Sequence, residues 1–128
     1  MTRSITFKAS HVDFVPETGF VGFGDESASH YFWLQPYETT TGYSTNKADI
    51  WLERDDQGFG GAGGEWTVEL GPTSFTLTVL NAPWLKCDQI AITFVIEPAK
   101  YDAIVEILNN VMSGCPNDFK ISSARLQT

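Results

Sequence analysis

The chain has 128 residues, 42% of them hydrophobic, with nine Phe, four Trp and four Tyr; that suffices for one aromatic-rich core and is too short for two ordinary domains. Sixteen acidic residues against eight basic ones give a net charge of −8, and such a surface repels nucleic-acid phosphates and anionic membranes while attracting basic partners. The hydrophobic content excludes a disordered chain.

Residues 1–8 alternate without the apolar core of a signal peptide, and no stretch reaches the length of a membrane span. The expectation is a single cytoplasmic domain over residues 1–128. Cys87 and Cys115 form no CxxC pattern; whether they ever pair is left open, with two thiols the favoured reading.

In chain order, Ile5, Phe7 and Ala9 alternate with Thr6, Lys8 and Ser10 as in a half-buried strand, and residues 11–15 read as its continuation up to Pro16. Residues 20–24 are apolar or glycine on both faces, which suits a strand covered on each side. The most aromatic strand follows at residues 30–35, with His30, Phe32 and Leu34 pointing one way and Tyr31 and Trp33 the other. A Thr/Gly/Ser-rich loop carrying Tyr37 and Tyr43 leads to residues 47–54. There Ala48, Ile50 and Leu52 mark a core side, and Asp49, Trp51 and Glu53 an outer side.

After Asp55 and Asp56 comes a run containing Gly58, Gly60, Gly61, Gly63 and Gly64, which opens directly into a strand. Trp66, Val68 and Leu70 face inward there and Glu65, Thr67 and Glu69 outward. Gly71-Pro72 then turns the chain into a second strand, so residues 65–80 read as a β-hairpin. Residues 90–96 form a strand with no polar face. Pro98 starts an amphipathic helix over about residues 98–113, with Tyr101, Ile104, Val105, Leu108, Val111 and Met112 on one side and Gly114 as its stop. Residues 115–128 form a short tail, with Phe119 onward an edge strand or loose end. The expected architecture is α+β: six or seven mostly antiparallel strands in a curved or sandwich-like sheet, with one C-terminal helix packed on it.

No catalytic constellation emerges. Backbone N–H groups of a glycine run can cradle phosphate, but a phosphate-binding run opens a helix and carries Gly-Lys-Ser/Thr, whereas this one opens a strand between acids. The glycines are read as structural, permitting positive φ and close backbone approach. His11 and His30 have no ligand-spaced partners, and the acids lack the spacing of a calcium loop or an apolar pocket to tune a carboxylate pair. The expectation is therefore no enzyme activity, no cofactor and no metal. What stands out is an acidic outer face with a tryptophan. If the strands carrying Asp49, Trp51 and Glu53 and carrying Glu65 and Glu69 pair, like charges share one face with Trp51, an arrangement suited to a basic partner.

The succession Ile5-Thr6-Phe7-Lys8, His30-Tyr31-Phe32-Trp33-Leu34-Gln35, Asp49-Ile50-Trp51-Leu52-Glu53, the glycine run into Trp66-Thr67-Val68-Glu69-Leu70, and Ile92-Thr93-Phe94-Val95-Ile96 before the helix resembles the Immunity protein 10 family of bacterial polymorphic-toxin systems. The likeness covers roughly residues 4–112; the Gly63-Gly64 pair and the tail depart from it. It implies a cytosolic antitoxin that neutralises a cognate toxin domain. The nature of the toxin is not implied, although nuclease domains are common partners in such systems; it is the acidic surface that suits a basic one. The acidic, tryptophan-bearing face read from the residues supplies the expected partner-binding set, Asp49, Trp51, Glu53, Asp55, Asp56, Glu65 and Glu69. The alternative is a small carbohydrate- or ligand-binding β-module, with Tyr37, Tyr43 and Trp84 stacking on its ligand.

Overall fold

Between Ala9 and Ser10 the backbone changes sheets: the Ala9 N–H donates to Thr93 O at 2.8 Å, and the Ser10 N–H donates to Gly24 O at 2.8 Å, in the other sheet. This is seen in a computed structural model of the chain, which describes residues 3–27, 29–36, 50–112 and 119–121. The elements are β1 (Ser4–Lys8), β2 (His11–Val15), β3 (Phe20–Gly24), β4 (Tyr31–Pro36), β5 (Ile50–Arg54), β6 (Gly60–Ala62), β7 (Glu65–Gly71), β8 (Ser74–Asn81), β9 (Gln89–Thr93), α1 (Pro98–Val111) and β10 (Phe119–Ile121). Short 3₁₀ turns at Gln57–Phe59 and Pro83–Leu85 complete the chain's regular structure among the described residues.

Two open sheets result, in the orders β2-β3-β4-β5-β6 and β1-β9-β8-β7-β10. The first is antiparallel throughout. In the second, β7-β8-β9 is antiparallel, while β1 joins β9 and β10 joins β7 in parallel. The α+β class, with mostly antiparallel sheets and a C-terminal helix, is as expected. The number of strands exceeds the expected six or seven, because residues 11–15 leave the first strand to join another sheet and because β6 and β10 are three-residue edges. Another difference is β9, which ends at Thr93, so Val95 lies outside the strand and is 84% exposed.

The inner faces meet through aromatic rings. Phe75 of β8 lies 4.9 Å from Phe23 of β3 and 5.4 Å from Phe32 of β4, centroid to centroid, and Phe23 stacks on Phe94 at 5.5 Å. Val21, Leu34, Ile50, Leu52, Trp66 and Leu77 are fully buried around them. Such rings, offset or tilted at these distances, combine large buried area with favourable quadrupole geometry.

Helix α1 starts where proline's missing N–H is harmless, with Pro98 in its first turn. It buries Tyr101, Ile104, Ile107, Leu108 and Val111 in the same core, while Val105 is only partly buried. Gly19, at φ 78°, admits it: a Cβ there would sit 2.9 Å from Val111 Cγ2. The expected stop at Gly114 and the remainder of the tail around β10 lie outside the described residues. No helix among the described residues is long and apolar enough to cross a membrane.

Candidate functional site

The two sheets turn different chemistry outward. On β1 and β7–β9 the outward residues include Thr6, Thr67, Thr76, Thr78 and Thr93, an ordinary polar face. The outward face of β2–β6 is aromatic. Strand register aligns His11, Gly24 and Tyr31 in one cross-strand row, and Asp13, Gly22, Trp33, Glu53 and Gly60 in the next. A third row has Val15 and Phe20 at one end and Gln35, Trp51 and Ala62 at the other.

Glycine makes this face possible. A Cβ on Gly22 would stand 2.7 Å from the Phe20 ring and 3.0 Å from Trp33, and one on Gly24 would stand 2.5 Å from His11 Nε2. The bare backbone of β3 is therefore a floor on which neighbouring rings lie. Trp33 meets Phe20 edge-on at 5.9 Å and Tyr31 at 4.8 Å, and it remains 38% exposed. Tryptophan and tyrosine are enriched among the residues that dominate protein interfaces.

Beside Trp33 lies a buried acid. Glu53 is 3% exposed; its carboxylate accepts the Tyr31 hydroxyl through one oxygen and the Trp51 indole N–H, at 2.9 Å, through the other. Gly60 opposite gives it room, since a Cβ there would be 2.8 Å from the Trp51 ring and 3.2 Å from Glu53. Desolvation first, then the hydrogen bond to Glu53 and the charges of Glu53, Asp56 and Asp55, push the Tyr31 phenol well above its ordinary value.

At the end of β5 the face is braced by a second network. Asp55, at φ 63°, accepts the Tyr31 N–H at 3.0 Å through Oδ1; its Oδ2 lies 3.0 Å from Arg54 Nη1 and 3.3 Å from His30 Nδ1. The buried Arg54 also donates from Nε to Leu85 O at 2.7 Å and lies 4.2 Å from the Phe59 ring centroid. Asp56 remains exposed and accepts the Gly58 N–H at 2.7 Å.

The structure redistributes the residues singled out by sequence. Trp51, Glu53, Asp55 and Asp56 come together around the aromatic face, whereas Asp49 lies outside the described residues. Glu65 and Glu69 do not join them. β5 pairs with β4 and β6, not with β7, so these two exposed acids stand on the far side of the other sheet. Glu53 also departs from its expected solvated position, because Tyr31 and Trp51 satisfy it under cover. The glycine run is a crossover: Gly61 accommodates the Trp84 ring, 2.8 Å from where its Cβ would be, and Gly63 and Gly64 turn at φ 88° and 83° from the first sheet into the second. Trp84 is half-buried, its N–H directed to Leu52 O at 3.3 Å, so it is not a free stacking platform. Tyr37 and Tyr43 lie outside the described residues. Sequence reasoning missed Trp33, Phe20 and Asp13 as surface elements; the glycines opposite Trp33 and His11 were the available signal.

A cavity of about 230 Å³ opens on this face between Tyr31 and Trp33 on one side and His11, Asp13 and Asp25 on the other. Among the described residues no group of three or more His, Cys, Asp or Glu is placed to hold a metal ion. Comparison with protein-family models, curated proteins and solved structures finds no match to this chain.

Proposed function

We propose that the chain is a neutralising binding protein, an antitoxin that holds a basic toxin domain against the outward face of β2–β6. The observation that carries this reading is Trp33, 38% exposed in a sheet face of Phe20, Tyr31 and Trp51 whose glycine floor adds no side chains to obstruct a partner. Acids border the face: Asp13 in the Trp33 row, and Asp55 and Asp56 at the end of β5. With a net charge of −8, such a surface accelerates encounter with a basic protein, and the aromatic centre slows its departure. The resemblance to the Immunity protein 10 family supports the same class of activity, with the binding face now centred on Trp33 and without Glu65 and Glu69.

The test is co-expression with the toxin domain encoded by the adjoining gene. The chain should restore growth, and Trp33→Ala should weaken the purified complex by about 2 kcal/mol or more while leaving the fold unchanged. A neighbouring gene of another kind, or a Trp33→Ala complex of undiminished affinity, would overturn the reading.

The 230 Å³ cavity beside Tyr31 and Trp33 favours a second reading, a small module that stacks a sugar or other planar ligand. Saturable quenching of Trp fluorescence by a neutral oligosaccharide, lost in Trp33→Ala, would support that reading over the first.

A further inference from the structure

Strand β2 ends its sheet: β3 pairs with one side of it, and no strand among the described residues pairs with the other. An open strand edge offers unused backbone donors and acceptors to another chain, and proteins normally cover or blunt it. Here the edge is flanked by space. A cavity of about 480 Å³ lies between residues 9–13 and the segment that carries Val95, Ile96, Glu97 and Lys100. The smaller cavity on the aromatic face adjoins the same strand, and His11 and Asp13 line both. Val95, 84% exposed, is the most open large hydrophobic side chain among the described residues, and it lines the larger cavity.

The centre of β2 is Asp13. When two copies pair symmetrically through this strand, Asp13 stands opposite its own copy, and like charges directly opposite destabilise a sheet. A basic residue at that position reverses the sign of the interaction. The edge thus disfavours a second copy and favours a strand from a positively charged chain.

We infer that β2 receives an extended strand from the protein partner, which adds to the sheet in register with residues 11–15. Alternate side chains of a strand point to opposite faces. One set, apolar, enters the larger cavity at its Val12, Val95 and Ile96 side, with Glu97 and Lys100 also lining that cavity; the other, basic, lies over Asp13 beside Tyr31 and Trp33. This is strand addition, in which backbone hydrogen bonds supply affinity and alternate side chains supply selection. The inference rests on the reading of the chain as a partner-binding protein, and it specifies how one segment of that partner is recognised.

The probe is a synthetic acetylated and amidated peptide of four Lys-Val repeats, followed by amide hydrogen exchange and NMR on the intact chain. Peptide binding should slow exchange at β2 roughly tenfold or more without slowing it at β7 or β10. Two derivatives, Nα-methylated at every Lys or at every Val, separate edge pairing from charge attraction. A strand presents its N–H groups alternately to either side, so one derivative should bind like the parent and the other roughly tenfold more weakly. Asp13 is exposed, so Asp13→Lys should keep the fold and weaken the parent peptide by a similar factor. Equal affinity of both derivatives, protection elsewhere than β2, or no saturable binding at about millimolar peptide would overturn strand addition. Failure of the broader reading looks different: the peptide then protects β2, yet the toxin encoded alongside does not bind. Conversely, Trp33-dependent toxin binding that leaves the β2 amides unprotected sinks strand addition alone.

Discussion

Trp33 and Glu53 stand directly opposite each other across β4 and β5, the indole 38% exposed and the acid 3% exposed. The exposed ring thus stands beside an acid that is already satisfied, because Glu53 takes hydrogen from both Tyr31 and Trp51. Replacing Glu53 by Leu removes the acceptor of both hydrogen bonds, and each hydrogen bond to a charged group contributes about 1.5–3 kcal/mol. Glu53→Leu should therefore lower the urea midpoint at unchanged slope, with Glu53→Gln losing less. Equal midpoints for wild type and Glu53→Leu would show that the acid does not hold the platform.

Alkaline pH provides an independent check on the same pair. The Tyr31 phenol is raised by desolvation and then by its bond to Glu53 and the surrounding negative charge. In the unfolded chain it titrates near its ordinary value of about 10. Raising the folded value means that the protonated phenol is favoured by folding, so its contribution is complete below about pH 10. That contribution is lost as pH rises through the folded value. Unfolding free energies measured on either side of about pH 10 should fall more steeply for wild type than for Tyr31→Phe. Phenolate absorbance should likewise lose a late-titrating component when Tyr31 is replaced by Phe.

Local patterns made much of this fold legible. Gly71-Pro72 between two alternating runs is the β7–β8 turn, and Pro98 followed by apolar residues at helical spacing is α1. What stayed hidden depends on pairing between distant residues. No Gly or Pro separates β1 from β2, and the one local mark of the change of sheet is a slip of phase, the covered apolar positions being odd-numbered through Ala9 and even-numbered at Val12 and Phe14. The parallel match of Ser4 with Gln89 has no local trace. Alternation put Trp51 on an outward position and Trp33 merely on the face opposite Phe32, and only register reveals that Trp33 lies between Gly22 and Glu53. Acids at outward positions suggested a solvated patch; the partners that bury Glu53 come from β4 and from two residues earlier on its own strand.

Gly61 tests the crossover. A Cβ there meets the Trp84 ring at 2.8 Å, closer than such contacts occur, and Trp84 is tied to Leu52 O. The ring must move, so Gly61→Val should destabilise by about 1–3 kcal/mol through overpacking and weaken partner binding by shifting β5 and β6. Gly58→Ala is the control, its Cβ meeting only Asp56 Oδ1 at 3.4 Å; its melting temperature should stay close to wild type. A Gly61→Val protein as stable as Gly58→Ala would mean that Trp84 is free to swing away.

Asp55 carries the remaining prediction. A non-glycine residue at φ 63° is uncommon, and Asp and Asn tolerate that region better than other side chains. Asp55→Asn should therefore keep the backbone and remove the charge, which faces both Arg54 and His30. The guanidinium is 4% exposed, and its Nη2 has no hydrogen-bond partner among the described residues, so Asp55 is its main compensation. Breaking a fully buried pair from one side costs about 3–5 kcal/mol, and this partly exposed one should cost less, whereas replacing both members together is often far milder. Arg54→Met combined with Asp55→Asn should accordingly be more stable than Asp55→Asn alone, although it carries one more substitution. Strictly additive losses in a double-mutant cycle would show that the two side chains act independently, and that backbone geometry rather than charge holds the end of β5 against Tyr31.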